Sequence, residues 1–294
     1  MAGASSREQP TTEAAKAFRF ARVEAYDGGI GVFATRPIAR GELIIVEAPL
    51  VTATLATLDA RVAALDATTR RRFFSLCDWR ATAQASKKTA LGIFQSNGYP
   101  CVGDEAGVFF AFSRVNHSCA PNATHAFRDG RRWVFASRAI SGGDEIVTNY
   151  VELAAPRSVR RAALRDHFGF DCRCAACAPR GERGELLCVE SDERRTRIAT
   201  LDDEIFDRVR GGRYGDAVRG VEERLSLLRA EGLDAPATLV RTCFDAFQAM
   251  DHKGDARRAA QWLERVLEYS RLCEPPDSTE LLDLEAKLAA LRRR

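Results

Sequence analysis

Three cysteines within six residues offer the clearest chemistry in this 294-residue sequence. Cys172, Cys174 and Cys177 are close enough in sequence for three thiolates to converge on one tetrahedral metal ion, typically zinc. Cys119, in the segment NHSCAPN, is the best candidate for the fourth ligand. Four thiolates leave no open coordination position, so such a zinc site would be structural. The alternative is a group of buried or reactive thiols without a metal.

Two other segments could bind a ligand. Asn116 and His117 lie between the apolar run FFAFSRV and Pro121, and polar groups in such a place need hydrogen-bond partners. The run GIG at residues 29–31 follows an expected strand and would let a ligand approach the backbone closely. Taken alone, each segment is better interpreted as a structural turn.

Short strands and helices must position these residues. Short β-branched and aromatic runs bounded by glycine, proline and turn residues predict strands within residues 18–52, 107–112, 131–138 and 145–150. Helical spacing of apolar residues begins at Leu55 and continues to about Gln95. A basic helix from about Pro156 to His167 leads into the cysteine cluster. Beyond about Glu185 the pattern is helical throughout, with helices expected at 192–210, 214–230, 237–252, 255–272 and 278–293.

Composition and charge exclude several classes of protein. The chain is 46% hydrophobic and carries 44 basic against 41 acidic residues, which fits a globular protein of about two domains and gives no overall basic face for nucleic acid. No apolar run approaches the roughly 20 residues of a membrane span. Residues 1–16 lack the apolar centre of a secretory signal and are expected to form a disordered polar tail. The nine cysteines are therefore expected to be thiols or metal ligands in a reducing compartment.

Four segments in this order resemble a SET-domain protein lysine methyltransferase with its post-SET zinc segment. They are GIGVFATRPIARGELIIVE, NHSCAPN, GGDEIVTNY and FGFDCRCAAC. The resemblance covers roughly residues 18–180, and the helical remainder is similar to the SMYD-like group of these enzymes. Members of that group carry a zinc-binding MYND insert after the third strand. Residues 52–90 of this chain contain a single cysteine, Cys77, so the MYND insert is absent. In this respect the chain is more similar to fungal SET proteins of the group.

This resemblance implies an α+β fold, in which a SET-type β-clip of small sheets and a post-SET zinc segment precede an all-α, TPR-like C-terminal region. We expect a SET domain at 17–155 with a helical insert at about 53–97, a post-SET zinc segment at 156–182 and an α-helical domain at 183–294. The implied cofactors are S-adenosylmethionine and one structural zinc ion, held by Cys119, Cys172, Cys174 and Cys177.

The resemblance also implies roles for individual residues. Tyr150 matches the catalytic tyrosine that closes the active site, and Phe170 matches the aromatic residue that packs on adenine. Asn116 and His117 match the pair that holds the amino-acid and adenine portions of the cofactor. Together, the residues expected to contact the cofactor are Gly28, Gly29, Ile30, Gly31, Asn97, Asn116, His117, Tyr150 and Phe170.

One position in the expected substrate channel departs from the SMYD-like pattern. Phe168 stands where those proteins usually have a second tyrosine, so the channel loses a hydroxyl. In SET enzymes a phenylalanine there generally leaves room for a more highly methylated amine. It also leaves the type of acceptor open.

The function expected from the resemblance is methyl transfer to a lysine of a protein substrate, either a histone or another protein. Two alternatives remain: a non-catalytic interaction scaffold, and a SET fold recruited to methylate a small molecule. We expect a monomer in the nucleus, the cytoplasm or both, with no membrane partner and no direct binding of nucleic acid.

Overall fold

The computed structural model describes residues 17–23, 29–84, 86–178, 184–275 and 277–293. The expected disordered tail at 1–16 and Gly28 lie outside these residues. Small sheets and short helices form the first part of the described chain, and long helices form the rest, which confirms the expected fold class.

The described strands are all short. In chain order they are β1 (Phe18–Val23), β2 (Gly29–Ala34), β3 (Leu43–Glu47), β4 (Val51–Ala53), β5 (Gly98–Pro100), β6 (Ala106–Val108), β7 (Asn116–His117), β8 (Ala123–Arg128), β9 (Arg131–Ala136) and β10 (Glu145–Thr148). They form three sheets with the strand orders β1-β2-β10-β7, β3-β9-β8 and β4-β6-β5. In the first sheet β7 runs parallel to β10, which pairs Asn116 with Val147 and His117 with Thr148.

The helices divide into a short set beside the sheets and a long set after the cysteine cluster. The short set comprises α1 (Leu58–Ala63), α2 (Ala67–Phe74), α3 (Trp79–Ala83) and α4 (Ala90–Asn97). The others are α5 (Arg157–Phe168), α6 (Gly184–Arg210), α7 (Tyr214–Ala230), α8 (Pro236–His252), α9 (Ala256–Ser270) and α10 (Thr279–Leu291). From α6 to α10, each helix packs on the next. The boundaries predicted for α7 to α10 are close to those observed, whereas α6 begins at Gly184, earlier than the predicted residue 192. The TPR-like character of this region stays a prediction.

The strand predicted over 107–112 is only partly correct. Strand β6 ends at Val108, and a 3₁₀ helix forms at Phe112–Arg114. The carboxylate of Glu47 accepts backbone hydrogen bonds from Ala111 at 3.0 Å and Phe112 at 2.5 Å. A side chain that satisfies the first N–H groups of a turn stabilises the turn against a continuing strand.

Separate apolar cores stabilise the two parts of the chain. One lies among the sheets around Val32, Phe109 and Ile146, and the largest lies among α6 to α10 around Leu225 and Leu263. Among the described residues, no helix combines the length and apolar character needed to cross a membrane.

Contacts between the two parts fix how the helices sit on the sheets. The guanidinium of Arg128 on β8 pairs with the carboxylate of Glu274 at 3.1 Å. Gly41 has a φ of +82°, and a Cβ there would lie 2.6 Å from the side chain of Leu272. The sheet loops therefore lie directly against the end of α9.

Candidate active site and zinc centre

The structure brings the four predicted zinc ligands together. The sulfur atoms of Cys119, Cys172, Cys174 and Cys177 all lie within 4.8 Å of one another, and three of the four residues are buried. A zinc–sulfur distance of about 2.3 Å places tetrahedral ligands about 3.8 Å apart, and the Cys119 and Cys177 sulfurs are 3.4 Å apart. Four thiols at this spacing, three of them on buried residues, fit one zinc ion. Occupancy by zinc stays a prediction.

Two segments distant in sequence supply these ligands. Cys119 lies two residues after the end of β7, and the other three cysteines follow α5. Helix α5 ends at Phe168 and is followed by Gly169, whose φ of +74° is left-handed, a conformation that favours glycine. A Cβ at Gly169 would also lie 2.4 Å from the Trp79 ring. This glycine therefore turns the chain from α5 toward the cluster and against the helical insert.

His117 connects the cysteine cluster to the segment that carries Tyr150. Its Nδ1 accepts a hydrogen bond from the backbone N–H of Tyr150 at 3.0 Å, and its Nε2 lies 3.2 Å from the sulfur of Cys119. Because Nδ1 accepts, the neutral ring carries its proton on Nε2, facing the sulfur. Burial lowers the pKa of His117 to about 4, which favours the neutral ring near pH 7.

Asn116 points to the opposite side of β7, as successive residues of a strand do. Its side-chain amide donates to the carboxylate of Glu145 at 2.7 Å. A Cβ on Gly31 would lie 2.5 Å from that carboxylate and 3.1 Å from the Asn116 amide nitrogen. Burial raises the pKa of Glu145, and the hydrogen bond from Asn116 opposes that rise. The glycine segment, Asn116 and Glu145 thus form one compact polar group.

Of the three predicted aromatic residues, Tyr150 and Phe170 lie beside His117, and Phe168 lies beside Tyr150. The Tyr150 and Phe168 rings are 4.9 Å apart between centroids, and the His117 and Phe170 rings are 6.2 Å apart. The hydroxyl of Tyr150 donates to the carbonyl of Val115 at 2.8 Å. Strand β7 therefore carries the polar group on one face and the aromatic group, with the cysteine cluster, on the other.

The remaining residues predicted to contact the cofactor are Gly29, Ile30, Asn97 and Gly28. Gly29 and Ile30 begin β2, and Ile30 is 44% exposed. Asn97 is buried at the end of α4, and its amide donates to the carbonyls of Cys77 and Ile93, both at 2.7 Å. These two bonds lie within the helical insert. Cofactor contact by Asn97 stays a prediction, as it does for Gly28, which lies outside the described residues.

Sequence reasoning missed two residues that hold the polar group. Glu145 lies in the motif GGDEIVTNY, which signalled a strand but not the pairing with Asn116. Asn122 is buried, accepts from the backbone N–H of Val147 and donates to the carbonyl of Glu145, both at 2.8 Å. Its position in NHSCAPN was the available signal. Together these bonds hold β10 against the segment after β7.

A groove lies beside the segment that follows Tyr150. It encloses about 490 Å³ between residues 152–156 and helix α6, and Glu152, Asp202 and Asp203 contribute carboxylates to its wall. Arg224 and Arg241 also line it, and both guanidiniums pair with Asp202. The groove is separate from the Gly31 and Asn116 group.

Comparison with known proteins shows what this part of the chain is similar to. Residues 29–151 match the model of the SET domain. This range contains the glycine segment, β7, Cys119 and Tyr150, so this part of the chain is similar to a SET domain.

Several named proteins are similar to parts of this chain. The histone-lysine N-methyltransferase set5 of Schizosaccharomyces pombe is 30% identical over 196 residues, which are 66% of this chain and 60% of that protein. The N-lysine methyltransferase SMYD2-B of Danio rerio is 33% identical over 106 residues, 36% of this chain and 24% of that protein. The histone-lysine N-methyltransferase ASHR1 of Arabidopsis thaliana is 37% identical over 80 residues, 27% and 17% of the two chains. Each match thus spans 60% or less of the relative's length.

Proposed function

We propose that this protein is an S-adenosylmethionine-dependent methyltransferase that acts on the ε-amine of a lysine in a protein substrate, such as a histone. The observation that carries the proposal is that strand β7 holds a different group of residues on each of its two faces. Asn116 joins Gly31 and Glu145 on one face, and His117 joins Tyr150 and the cysteine cluster on the other. The relatives named above are lysine methyltransferases. We expect the protein to act in the nucleus, the cytoplasm or both.

The residues around Gly31 fit the polar portions of the proposed cofactor. A cofactor lying along β2 can approach the backbone closely at Gly31, where there is no side chain. Asn116 and Glu145 offer hydrogen-bond partners next to it, and Phe170 offers an apolar ring near His117. When bound, S-adenosylmethionine supplies a methyl group on a positively charged sulfur. The protein therefore needs to position the acceptor and does not need a nucleophile of its own.

The aromatic residues suit a lysine side chain that must react as a neutral amine. The reference pKa of lysine is about 10.4, and an apolar channel disfavours its charged form. Tyr150 and Phe168 would form the wall of such a channel. The Tyr150 hydroxyl and the Val115 carbonyl, 2.8 Å apart, would present fixed dipoles to the reacting methyl group. Holding the two reactants in line can lower the barrier by about 7–11 kcal/mol.

The cysteine cluster would act through position. Phe168 and Phe170 precede Cys172 closely, and Cys119 follows His117 by two residues. One zinc ion bound by all four cysteines would hold both aromatic side chains against β7. Its four protein ligands would leave no position for a substrate.

The experiment that tests the proposal follows the methyl group of labelled S-adenosylmethionine in a cell extract. We expect label in protein, on lysine after complete hydrolysis, and none with heat-denatured protein. Label only in small molecules would replace the proposed acceptor with a small amine. Binding of the cofactor without transfer, or no binding at all, would favour a non-catalytic scaffold and overturn the proposal.

A further inference from the structure

A buried arginine of the helical region reaches the candidate active site. Arg195 on α6 has a fully buried side chain. Its Nη2 donates to the carbonyl of Cys119 at 3.1 Å, and its Nη1 donates to the carbonyl of Leu153. Its Nε donates to the carboxylate of Glu231 at 2.8 Å. One guanidinium thus joins three segments that are distant in sequence.

The two carbonyls belong to the parts of the site that must stay aligned. Cys119 is a predicted zinc ligand and follows His117 by two residues, and Leu153 follows Tyr150 by three. The planar guanidinium has donors in a fixed geometry, so it sets the separation of two acceptors more strictly than an ammonium can. Arg195 therefore braces the Cys119 loop against the segment after Tyr150.

A second buried arginine makes a parallel connection. Arg160 on α5 also has a fully buried side chain, and its Nη1 donates to the carbonyl of Ala155. Its Nη2 lies 3.9 Å from the sulfur of Cys177. Residues 151–156 are thus held by arginines from two helices, and each arginine also contacts the cysteine cluster. With zinc bound, the two positive charges would also offset part of the negative charge of the four thiolates.

Glu231, at the end of α7, orients Arg195. Its carboxylate is 4% exposed and accepts from Arg195, from Ser191 at 2.6 Å and from Arg194 at 2.6 Å. Burial would raise the pKa of Glu231, but the hydrogen bonds from Ser191 and Arg194 and the charge of Arg195 lower it overall. The carboxylate therefore stays charged near pH 7 and pairs with the buried guanidinium.

We propose that Arg195 is a positioning residue, through which the helical region holds Tyr150 and the Cys119 loop in the arrangement needed for methyl transfer. This inference rests on the function proposed above. It means that the helical region contributes to the rate of transfer as well as to the packing of the chain.

The test compares R195K with R194K. Lysine keeps the charge at position 195 but cannot reach both carbonyls and Glu231 together. Arg194 is the matched control, because it lies on the same helix and bonds the same carboxylate but has no described hydrogen bond to Cys119 or Leu153. Rates are divided by the number of cofactor sites found by titration, so that a loss of folded protein does not count as a loss of rate.

We expect R195K to lower kcat per cofactor site by about tenfold or more, since small misplacements of reacting groups slow a reaction strongly. We expect the KM for S-adenosylmethionine to rise by less than kcat falls, because Gly31 and Asn116 lie on the other face of β7, although His117 and Phe170 lie on the face of the cluster. We expect R194K to keep both constants within about twofold. A kcat per site within twofold of the unmodified protein for R195K would overturn the inference.

If R195K does not fold, the variant E231Q tests the same inference. This change keeps Arg195 but removes the negative charge of Glu231, which orients the Arg195 guanidinium. A fall of at least about threefold in kcat per site is then expected, and no fall overturns the inference.

A second measurement is independent of activity. Cobalt(II) bound by the four cysteines has visible absorption bands that respond to ligand geometry. We expect these bands to shift in R195K and to stay unchanged in R194K, and identical bands in all three proteins would overturn the inference. If the unmodified protein transfers no methyl group, the proposed function fails, and the cobalt spectra alone decide whether Arg195 braces the cluster.

Discussion

The backbone N–H of Tyr150 donates to Nδ1 of His117 at 3.0 Å, and the other ring nitrogen of His117 faces the sulfur of Cys119 at 3.2 Å. The side chain of His117 therefore links Tyr150, the predicted catalytic residue, to Cys119 of the predicted zinc cluster. Outer-shell hydrogen bonds of this kind orient metal ligands. Here the same bond also orients the segment that carries Tyr150. Binding of metal and binding of cofactor should therefore be linked.

The first prediction concerns that link. Replacing Cys174 by alanine removes one of the four sulfurs, so we expect the bound zinc to fall from one per chain to much less than one. We also expect the affinity for S-adenosylmethionine to fall, because without the ion His117 and Phe170 lose the anchor that holds them in place; outer-shell changes at metal sites alter metal affinity or activity by about 10–100-fold. Metal analysis and calorimetric titration of the cofactor measure the two effects.

Cys273→Ala is the control for that change. Cys273 is also buried, but it lies after α9, away from the cluster. It should keep one zinc per chain and normal affinity for the cofactor. Full zinc content and unchanged cofactor binding in Cys174→Ala would show that the post-SET assignment is wrong.

The second prediction concerns the close approach at Gly31. A Cβ there would lie 2.5 Å from the Glu145 carboxylate and 2.7 Å from the Val23 side chain. Gly31→Ala should therefore displace Glu145 and its partner Asn116, and weaken cofactor binding by about tenfold or more. Gly215→Ala is the control, since the nearest atom to a Cβ there is the flexible end of Arg219 at 3.9 Å. Equal cofactor affinities in the two variants would argue against a cofactor site beside Gly31.

Parts of this arrangement could be predicted from sequence because their signals are local. The spacing of Cys172, Cys174 and Cys177 indicates a metal site without any knowledge of the fold. Helices α7 to α10 are bounded by glycines, prolines and good capping residues, so their limits were close to those observed.

Other parts carry no local signal. The bond from Arg195 to Cys119 joins residues 76 positions apart, and arginines of α6 that reach the site look the same in sequence as those that face solvent. Glu145 belongs to a strand whose alternation shows which residues share a face but not which neighbour they meet. The short strand at 106–108 ended early because of Glu47, which is distant in sequence.

The third prediction concerns Phe168. Its ring centroid lies 4.9 Å from that of Tyr150, so a hydroxyl added to Phe168 would enter the space proposed for the lysine amine. Phe168→Tyr should shift the product toward fewer methyl groups, because the hydroxyl can hold the amine or a water molecule where a further methyl group would sit. Mass spectrometry of a methylated substrate measures the distribution. An unchanged distribution would place Phe168 outside the channel.

The fourth prediction concerns stability and pH. Burial raises the pKa of Asp245 to about 6, and the charge of Arg224 only partly opposes this. The unfolded value is about 3.9, so the folded state holds this proton more tightly. The stability that protonated Asp245 contributes, relative to its charged form, is fully present below about pH 4. This stability falls as the pH rises toward 6 and is absent above that pH.

Asp245→Asn should therefore raise the free energy of unfolding by about 1–3 kcal/mol at pH 7.5 and change it little at pH 4. Thermal melts at the two pH values measure this, with an expected rise of several degrees at the higher pH. The measurement at pH 4 is the internal control. A lower melting temperature at pH 7.5 would show that the carboxylate stabilises the fold when charged.

The central claim is that Tyr150 acts on the methyl group of a cofactor whose polar portions bind beside Asn116 and Gly31. The most direct test measures methyl transfer from S-adenosylmethionine to a lysine-bearing protein by the unmodified chain and by Tyr150→Phe, together with cofactor affinity. The Tyr150 hydroxyl donates to the Val115 carbonyl, so its oxygen would be the fixed dipole that faces the methyl group. Loss of one fixed polar group at a reacting centre typically slows a reaction by about 10²–10³-fold. We predict a loss of about 100-fold in kcat for Tyr150→Phe, with cofactor affinity within about threefold of the unmodified protein. Equal transfer rates for the two proteins would contradict the account.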